Sequence, residues 1–262
     1  MIRNDRSRFA YLCASLVGAL VLASCGGSGN AGSGNGGSGG GGSNPPPSTA
    51  NESAWMNGSD GDSATNNSDP NYGTIGIAAA TNVPGGRNSA AGWTDKSGNL
   101  WLFGGEGLDS YSSQVLLNNL WEYNVANGEW TWEGGTNQVI NSFAPPCNGS
   151  TDCGVAGVYG VFGTSSAANV PGSRFGSVAW TDSAGNLWLF GGRGIDSAGT
   201  YGYLNDLWEF QTGTRQWVWV SGNNSVGTNT GTNGQLGAFG TQGTAASSNV
   251  PPGIVGATGW ID

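Results

Sequence analysis

The chain has 262 residues, enough for one ordinary domain, but 50 are glycine and only 10% are charged, so less of it can pack a core than its length suggests. A formal net charge of −9 disfavours nucleic acid and anionic lipid surfaces as partners, and the absence of histidine excludes histidine general-base and triad chemistry. Twelve tryptophans in short clusters, with no long amphipathic helix beyond the first 25 residues, point to an all-β protein with large rings in its core.

Residues 1–24 read as an export leader, with Arg3, Arg6 and Arg8 ahead of an apolar run from Phe9 to Ala23 that is too short for a membrane span. The text that follows, Leu22-Ala23-Ser24-Cys25, resembles the lipobox of bacterial lipoproteins. That resemblance implies cleavage before Cys25, a diacylglyceryl group on its thiol and an acylated new N-terminus. Gly26, where an aspartate would signal retention, implies the outer membrane, on its periplasmic face or at the cell surface. Such a tether is firm, since each buried CH₂ contributes about 0.8 kcal/mol. The alternative is an ordinary signal peptide with a chance cysteine. Loss of the leader removes Arg3, Arg6, Arg8 and Asp5 and leaves 5 basic and 16 acidic residues. Residues 25–50 are almost wholly Gly, Ser and Asn, ending in a proline run, and form a coil spacing the rest from the membrane by roughly 25 Å.

Residues 51–86 hold a strand-like stretch around Trp55 and a connection. From there the chain repeats itself: Arg87, Trp93, Trp101, Gly104, Gly105, Leu120, Trp121, Trp130 and Trp132 recur 87 positions later as Arg174, Trp180, Trp188, Gly191, Gly192, Leu207, Trp208, Trp217 and Trp219. Each copy contains four strand-like runs. The first covers 87–95 (174–182). A turn at Ser97-Gly98-Asn99 (Ala184-Gly185-Asn186) supplies positive φ for a hairpin into Leu100-Trp101-Leu102-Phe103 (Leu187 to Phe190), which is apolar on both faces. After the double glycine and a loop come Asn119 to Tyr123 (Asp206 to Phe210). A turn then leads to Glu129 to Trp132 (Gln216 to Trp219). The copies occupy 87–170 and 171–250 with their long connections, and 251–262 begins a third. The connections share text of their own, Tyr72-Gly73 to Gly76, Tyr159-Gly160 to Gly163 and Ala238-Phe239-Gly240, so they are expected to be ordered. The first echo places Trp55 as the outer strand of a further sheet.

Leu-Trp-Leu-Phe-Gly-Gly, then Leu-Trp-Glu with an aromatic, then Trp130 or Trp217, resembles Kelch repeats. The resemblance implies a Kelch-type β-propeller: two full four-stranded blades, an N-terminal strand and a truncated third blade. These repeats are longer than the roughly 50 residues of a Kelch repeat, and a propeller needs at least ~4 blades, so either the sequence is a fragment, the favoured expectation, or identical chains assemble to complete the ring.

Gly104, Gly105, Gly191 and Gly192 precede no helix and read as sites of close backbone packing, not phosphate loops. Trp130 and Trp217 mark the outer strand. Cys147 and Cys153 lie in one connection of an exported protein and are expected to form a disulfide. Galactose oxidase shares Kelch architecture, but its copper site needs histidines that this chain lacks; no metal, cofactor or catalytic residue is expected. Arg87, Arg174, Asp109 and Asp196 are repeated polar positions, candidate contacts for an acidic sugar or a peptide, or else inter-blade ion pairs. Glu122 and Glu209 are expected to face outward or to accept bonds from the backbone. The chain reads as a tethered protein- or glycan-binding module. A Kelch-like carbohydrate-active enzyme such as a sialic-acid mutarotase, and a fragment without function, stand as alternatives.

Overall fold

The computed structural model describes residues 69–139, 153–227 and 234–259. The leader, Cys25, the tether, Trp55, Cys147 and Trp260 lie outside the described residues.

Each four-run copy folds as an antiparallel sheet. The first repeat supplies β1 (Arg87–Asn88), β2 (Ala91–Thr94), β3 (Leu100–Phe103), β4 (Glu106–Leu108), β5 (Gln114–Leu116), β6 (Leu120–Asn124) and β7 (Glu129–Gly134). The second supplies β8 (Arg174–Phe175), β9 (Val178–Thr181), β10 (Leu187–Phe190), β11 (Arg193–Ile195), β12 (Tyr201–Tyr203), β13 (Leu207–Gln211) and β14 (Gln216–Ser221). The four-stranded sheets run β2-β3-β6-β7 and β9-β10-β13-β14, and each repeat adds a small sheet, β1-β4-β5 or β8-β11-β12. The register is the same in both: Trp101 lies opposite Trp93 and Glu122, and Trp188 opposite Trp180 and Glu209.

The first expected run, 87–95, is two strands and not one. Ser89 takes a left-handed φ of 53°, which turns the chain from the small sheet into the large one. The segment after the double glycine is a further hairpin, β4-β5, where a loop was expected. Gly98 (φ 83°) and Gly185 (φ 90°) make the tight turns as read from the sequence. The double glycines end their strands at positive φ, and a Cβ on Gly104 would stand 2.6 Å from the Arg174 carbonyl oxygen.

The core lies between the two large sheets. Ala91, Trp93, Trp101, Phe103 and Leu120 from the first meet Leu187, Leu189, Trp208, Phe210 and Trp217 from the second. Trp101 packs 5.3 Å from Phe210, and Phe103 packs 5.5 Å from Trp217. Identical Leu-Trp-Leu-Phe text therefore buries opposite residues: Trp101 and Phe103 in β3, Leu187 and Leu189 in β10. A strand apolar on both faces is what this stacking requires, because each sheet has one face toward each neighbour. Backbone bonds lock the pair, from Gly105 N–H to Arg174 C=O, Arg174 N–H to Leu117 C=O, and Gly176 N–H to Ser89 C=O. The Trp93 indole N–H also donates to the Trp188 carbonyl at 2.9 Å.

The described parts of the first two connections, residues 69–86 and 153–173, are each fastened to the sheet that follows. Tyr72 packs 5.1 Å from Trp121 and 5.2 Å from Trp132, and Tyr159 packs 4.7 Å from Trp208 and 5.2 Å from Trp219. Ala79 and Ser166 bridge to the outer strands at Trp130 and Trp217.

Candidate functional site

Three polar stations recur or contrast between the repeats. The first lies in the hairpin after the double glycine. One Asp109 carboxylate oxygen accepts the backbone N–H groups of Tyr111 (2.9 Å) and Ser113 (3.0 Å), and the other accepts that of Val139 (2.9 Å). Asp196 repeats this with Ala198, Thr200 and Val226. A carboxylate filled by three backbone donors is a loop clamp. It ties the β4-β5 hairpin to the segment after β7, and β11-β12 to the segment after β14. Both aspartates are buried, so neither is presented to a ligand, as the sequence had allowed. What they present is the hairpin surface. In the first repeat this surface carries exposed Tyr111, with Glu106 accepting from Gln114. In the second, the Arg193 guanidinium lies 4.7 Å from the Tyr201 ring centre and 5.2 Å from that of Tyr203.

The second station surrounds the repeated arginines. Arg174 is fully buried and pairs with Asp206, NH1 to Oδ1 at 2.6 Å and NH2 to Oδ2 at 2.7 Å. The Asp206 Oδ2 atom also accepts from Trp208 Nε1 (2.7 Å) and the Tyr159 hydroxyl (2.6 Å). Burial alone would lower the Arg174 pKa, and the Asp206 charge reverses that; burial and Asp206 together hold the Tyr159 hydroxyl well above its usual value. In the first repeat Asn119 stands where Asp206 does. Its Oδ1 accepts from Arg87 NH1 at 2.5 Å and its Nδ2 donates to the Tyr72 hydroxyl at 2.6 Å. Arg87 NH2 and Trp121 Nε1 are then buried with no partner. Burial pulls the Arg87 guanidinium down to about 10 and pushes the Tyr72 hydroxyl up to about 12. The expected inter-blade pairing of these arginines is therefore corrected: Arg174 pairs within its own repeat, and Arg87 has no acidic partner among the described residues.

The third station does join the two sheets. Glu122, expected to face outward, is buried; its carboxylate accepts from Asn99 Nδ2 at 2.9 Å and from Arg215 NH2 at 3.0 Å. Arg215 also pairs with Glu133. Glu209 accepts from Asn186 at 2.7 Å, the counterpart of the Asn99 bond, and pairs with no arginine among the described residues. Glu122, Glu133 and Arg215 line a cavity of about 280 Å³ with Gly76, Ala78, Asn124 and Thr131. Arg215 occupies the left-handed position (φ 56°) that Gly128 holds in the first repeat. Sequence reading missed Arg215 and Glu133 because neither recurs: Gly128 and Val220 stand in the equivalent places. Asn119 with Asp206 and Tyr72 with Tyr159 did carry a signal, recurrence at the same 87-residue interval.

Cys153 is buried beside Val115, Leu117 and Val139, and its carbonyl accepts from the Leu116 N–H. Its expected pairing with Cys147 involves a residue outside those described. Among the described residues no group of three or more Cys, Asp or Glu side chains is placed to hold a metal ion.

No protein-family model matches the chain, and no curated protein matches it. Among solved structures it is similar to one titled "Structure of YjhT", at 16% identity and a TM-score of 0.35, over 57% of this chain and 42% of that one. The chain thus spans less than half the length of that protein.

Proposed function

We propose that the chain is part of a Kelch-type propeller, lipid-tethered through Cys25 outside the cytoplasm, that binds a protein or glycan through the hairpins that follow its double glycines. The supporting observation is a constant frame beneath a variable surface. Asp109 and Asp196 hold the two hairpins with the same set of backbone bonds, yet one presents Tyr111, Glu106 and Gln114 and the other Arg193, Tyr201 and Tyr203. Rigid loops that differ only in their outward chemistry are the usual form of a recognition surface. Arg193 between two rings suits a carboxylate-bearing ligand, since it is a cation in a strongly acidic chain.

The test is an array of neutral and acidic oligosaccharides, together with acidic peptides, probed with the lipid-free chain from residue 26. Binding that falls on Arg193→Ala or Tyr111→Ala, with unfolding midpoints unchanged, supports the reading. Binding indifferent to both, or absent throughout, overturns it. The tether is tested separately with a clickable fatty acid in cells, where Cys25→Ala must abolish the label.

A further inference from the structure

On one face of the first large sheet, polar side chains stand where the second repeat is largely apolar. Glu122 lies opposite Thr131 across β6 and β7, and Asn124 and Glu133, each two residues along its own strand, share that face. The counterparts 87 residues on are Glu209, Gln211, Val218 and Val220. The repeat therefore folds without needing a hydroxyl or a second carboxyl at these places. With Arg215, from the turn before β14, these four side chains wall the cavity of about 280 Å³. It lies at the end of the sheet where Asn99 meets Glu122, away from the double glycine that follows Phe103.

The wall carries bonding capacity that the fold does not use. Thr131 is 6% exposed, lines the cavity, and its hydroxyl has no hydrogen-bond partner among the described residues. A buried hydroxyl left so is costly unless something occupies the space before it. The Asn124 side-chain carbonyl takes the N–H groups of Ala126 and Asn127, while its amide donates to no described residue. The side chains of Glu133 and Glu122 are 3% and 9% exposed, and both lean on one guanidinium, that of Arg215, which is 50% exposed. Two carboxylates on one cation leave a negative charge in excess, and a desolvated charge without a counter-charge is destabilising.

We propose that this cavity binds a small molecule through a primary ammonium group, held by the Glu133 carboxylate and the Thr131 hydroxyl. An ammonium brings three donors and one positive charge, which match the free acceptor capacity and the charge excess. Anionic ligands are disfavoured by that excess and by the chain's net charge of −9. A calcium ion would want about six to eight oxygens, and among the described residues no third acid joins the pair. The cavity shares no residue with the β4-β5 and β11-β12 hairpins, so this inference is independent of the reading given to them.

The experiment is an NMR titration of the chain from residue 26 with putrescine, run at pH 7 in about 0.15 M NaCl to screen exposed charges. The comparison probe is 1,4-butanediol, the same carbon chain with hydroxyls in place of ammonium groups. Putrescine should shift the amide signals of Thr131, Glu133 and Arg215 saturably, and butanediol should bind at least about tenfold more weakly. Glu133→Gln, which keeps the shape and removes the charge, should weaken putrescine by about tenfold. Thr131→Val, which installs the residue that the second repeat carries, should weaken it by about threefold or more and serves as the test should Glu133→Gln not fold. Equal affinity for the two probes overturns the proposal, as do shifts that never saturate at these three residues. Unchanged putrescine affinity in either folded variant overturns it as well.

Discussion

Exchanging the residue beneath each repeated arginine tests the energetics directly. Asp206 accepts four donors: both Arg174 nitrogens, the Trp208 indole and the Tyr159 hydroxyl, at 2.6–2.7 Å. An amide cannot do this. As oriented, Asn119 strands Arg87 NH2 and Trp121 Nε1; turned over, its NH₂ would face the Arg87 guanidinium, donor against donor. Asp206→Asn therefore leaves a fully buried cation without its counter-charge, which costs about 3–5 kcal/mol. The reverse change, Asn119→Asp, gives two stranded donors a charged acceptor, worth about 1.5–3 kcal/mol each. Desolvation of the new carboxylate offsets several kcal/mol of this, leaving a net gain of about 1–3 kcal/mol. Urea unfolding at pH 7 reads both changes, and thermal midpoints should move by about 2–4 °C per kcal/mol. If Asn119→Asp lowers the midpoint or leaves it unmoved at constant m, or Asp206→Asn costs less than about 1 kcal/mol, the account of this station is wrong.

Asp109→Ala should release the hairpin clamp at a cost of about 2 kcal/mol, with faster hydrogen exchange at Tyr111, Ser113 and Val139 but not at Ala198, Thr200 or Val226. Gly222→Ala places a Cβ 2.0 Å from the Asn205 carbonyl oxygen at φ 79° and should cost over about 3 kcal/mol; Gly98→Ala, at φ 83° in open space, should cost only about 1 kcal/mol, as chemical denaturation will show. Arg215→Ala leaves Glu122 and Glu133 facing each other without their cation and should lower stability by about 2 kcal/mol in urea at pH 7. Burial holds the Glu133 carboxyl above its usual 4.5 despite the opposing pull of Arg215. Because its folded pKa is the higher one, the native state takes up this proton first, so stability from the group is present at acid pH and is lost as pH rises through the raised value. Wild type should therefore gain on Glu133→Gln as pH falls from 7 to 5, measured as the difference in urea midpoints.

Strand order, the tight turns and the tryptophan core were legible because each depends on local text: glycine where φ is positive, and apolar residues on both faces of Leu100–Phe103 and Leu187–Phe190. The break at Ser89 was not read, since a serine does not announce the left-handed region; the mark stood only in the second repeat, where Gly176 (φ 63°) holds the equivalent place. The polar stations were legible only as repeated letters. Recurrence picked out Arg87, Arg174, Asp109 and Asp196 but could not say whether they serve a ligand or the fold; the partners that settle their contacts lie 30 or 32 residues away, at Val139, Val226, Asn119 and Asp206. Glu122 was misread for the opposite reason, since Arg215 breaks the repeat and has no counterpart to announce it.

The unusual length of these repeats has a physical explanation in the same geometry. A four-stranded sheet standing alone exposes the outer edge of its last strand, and β7 and β14 are rich in aromatic residues that would pair with any extended chain. Each connection lays Ala79 or Ser166 against that edge and anchors there through Asn82 or Asn169, whose side-chain amide takes a carbonyl of the outer strand at 2.9 or 3.0 Å. The residues beyond a minimal four-stranded repeat thus act as an edge cover that also carries the tyrosine wedge. If that is their work, replacing Tyr159 to Asn169 with a Gly-Ser coil of equal length should provoke aggregation, although the length of the connection is unchanged. Light scattering on this variant would separate an edge cover from a simple spacer, for which an equal-length coil would serve as well.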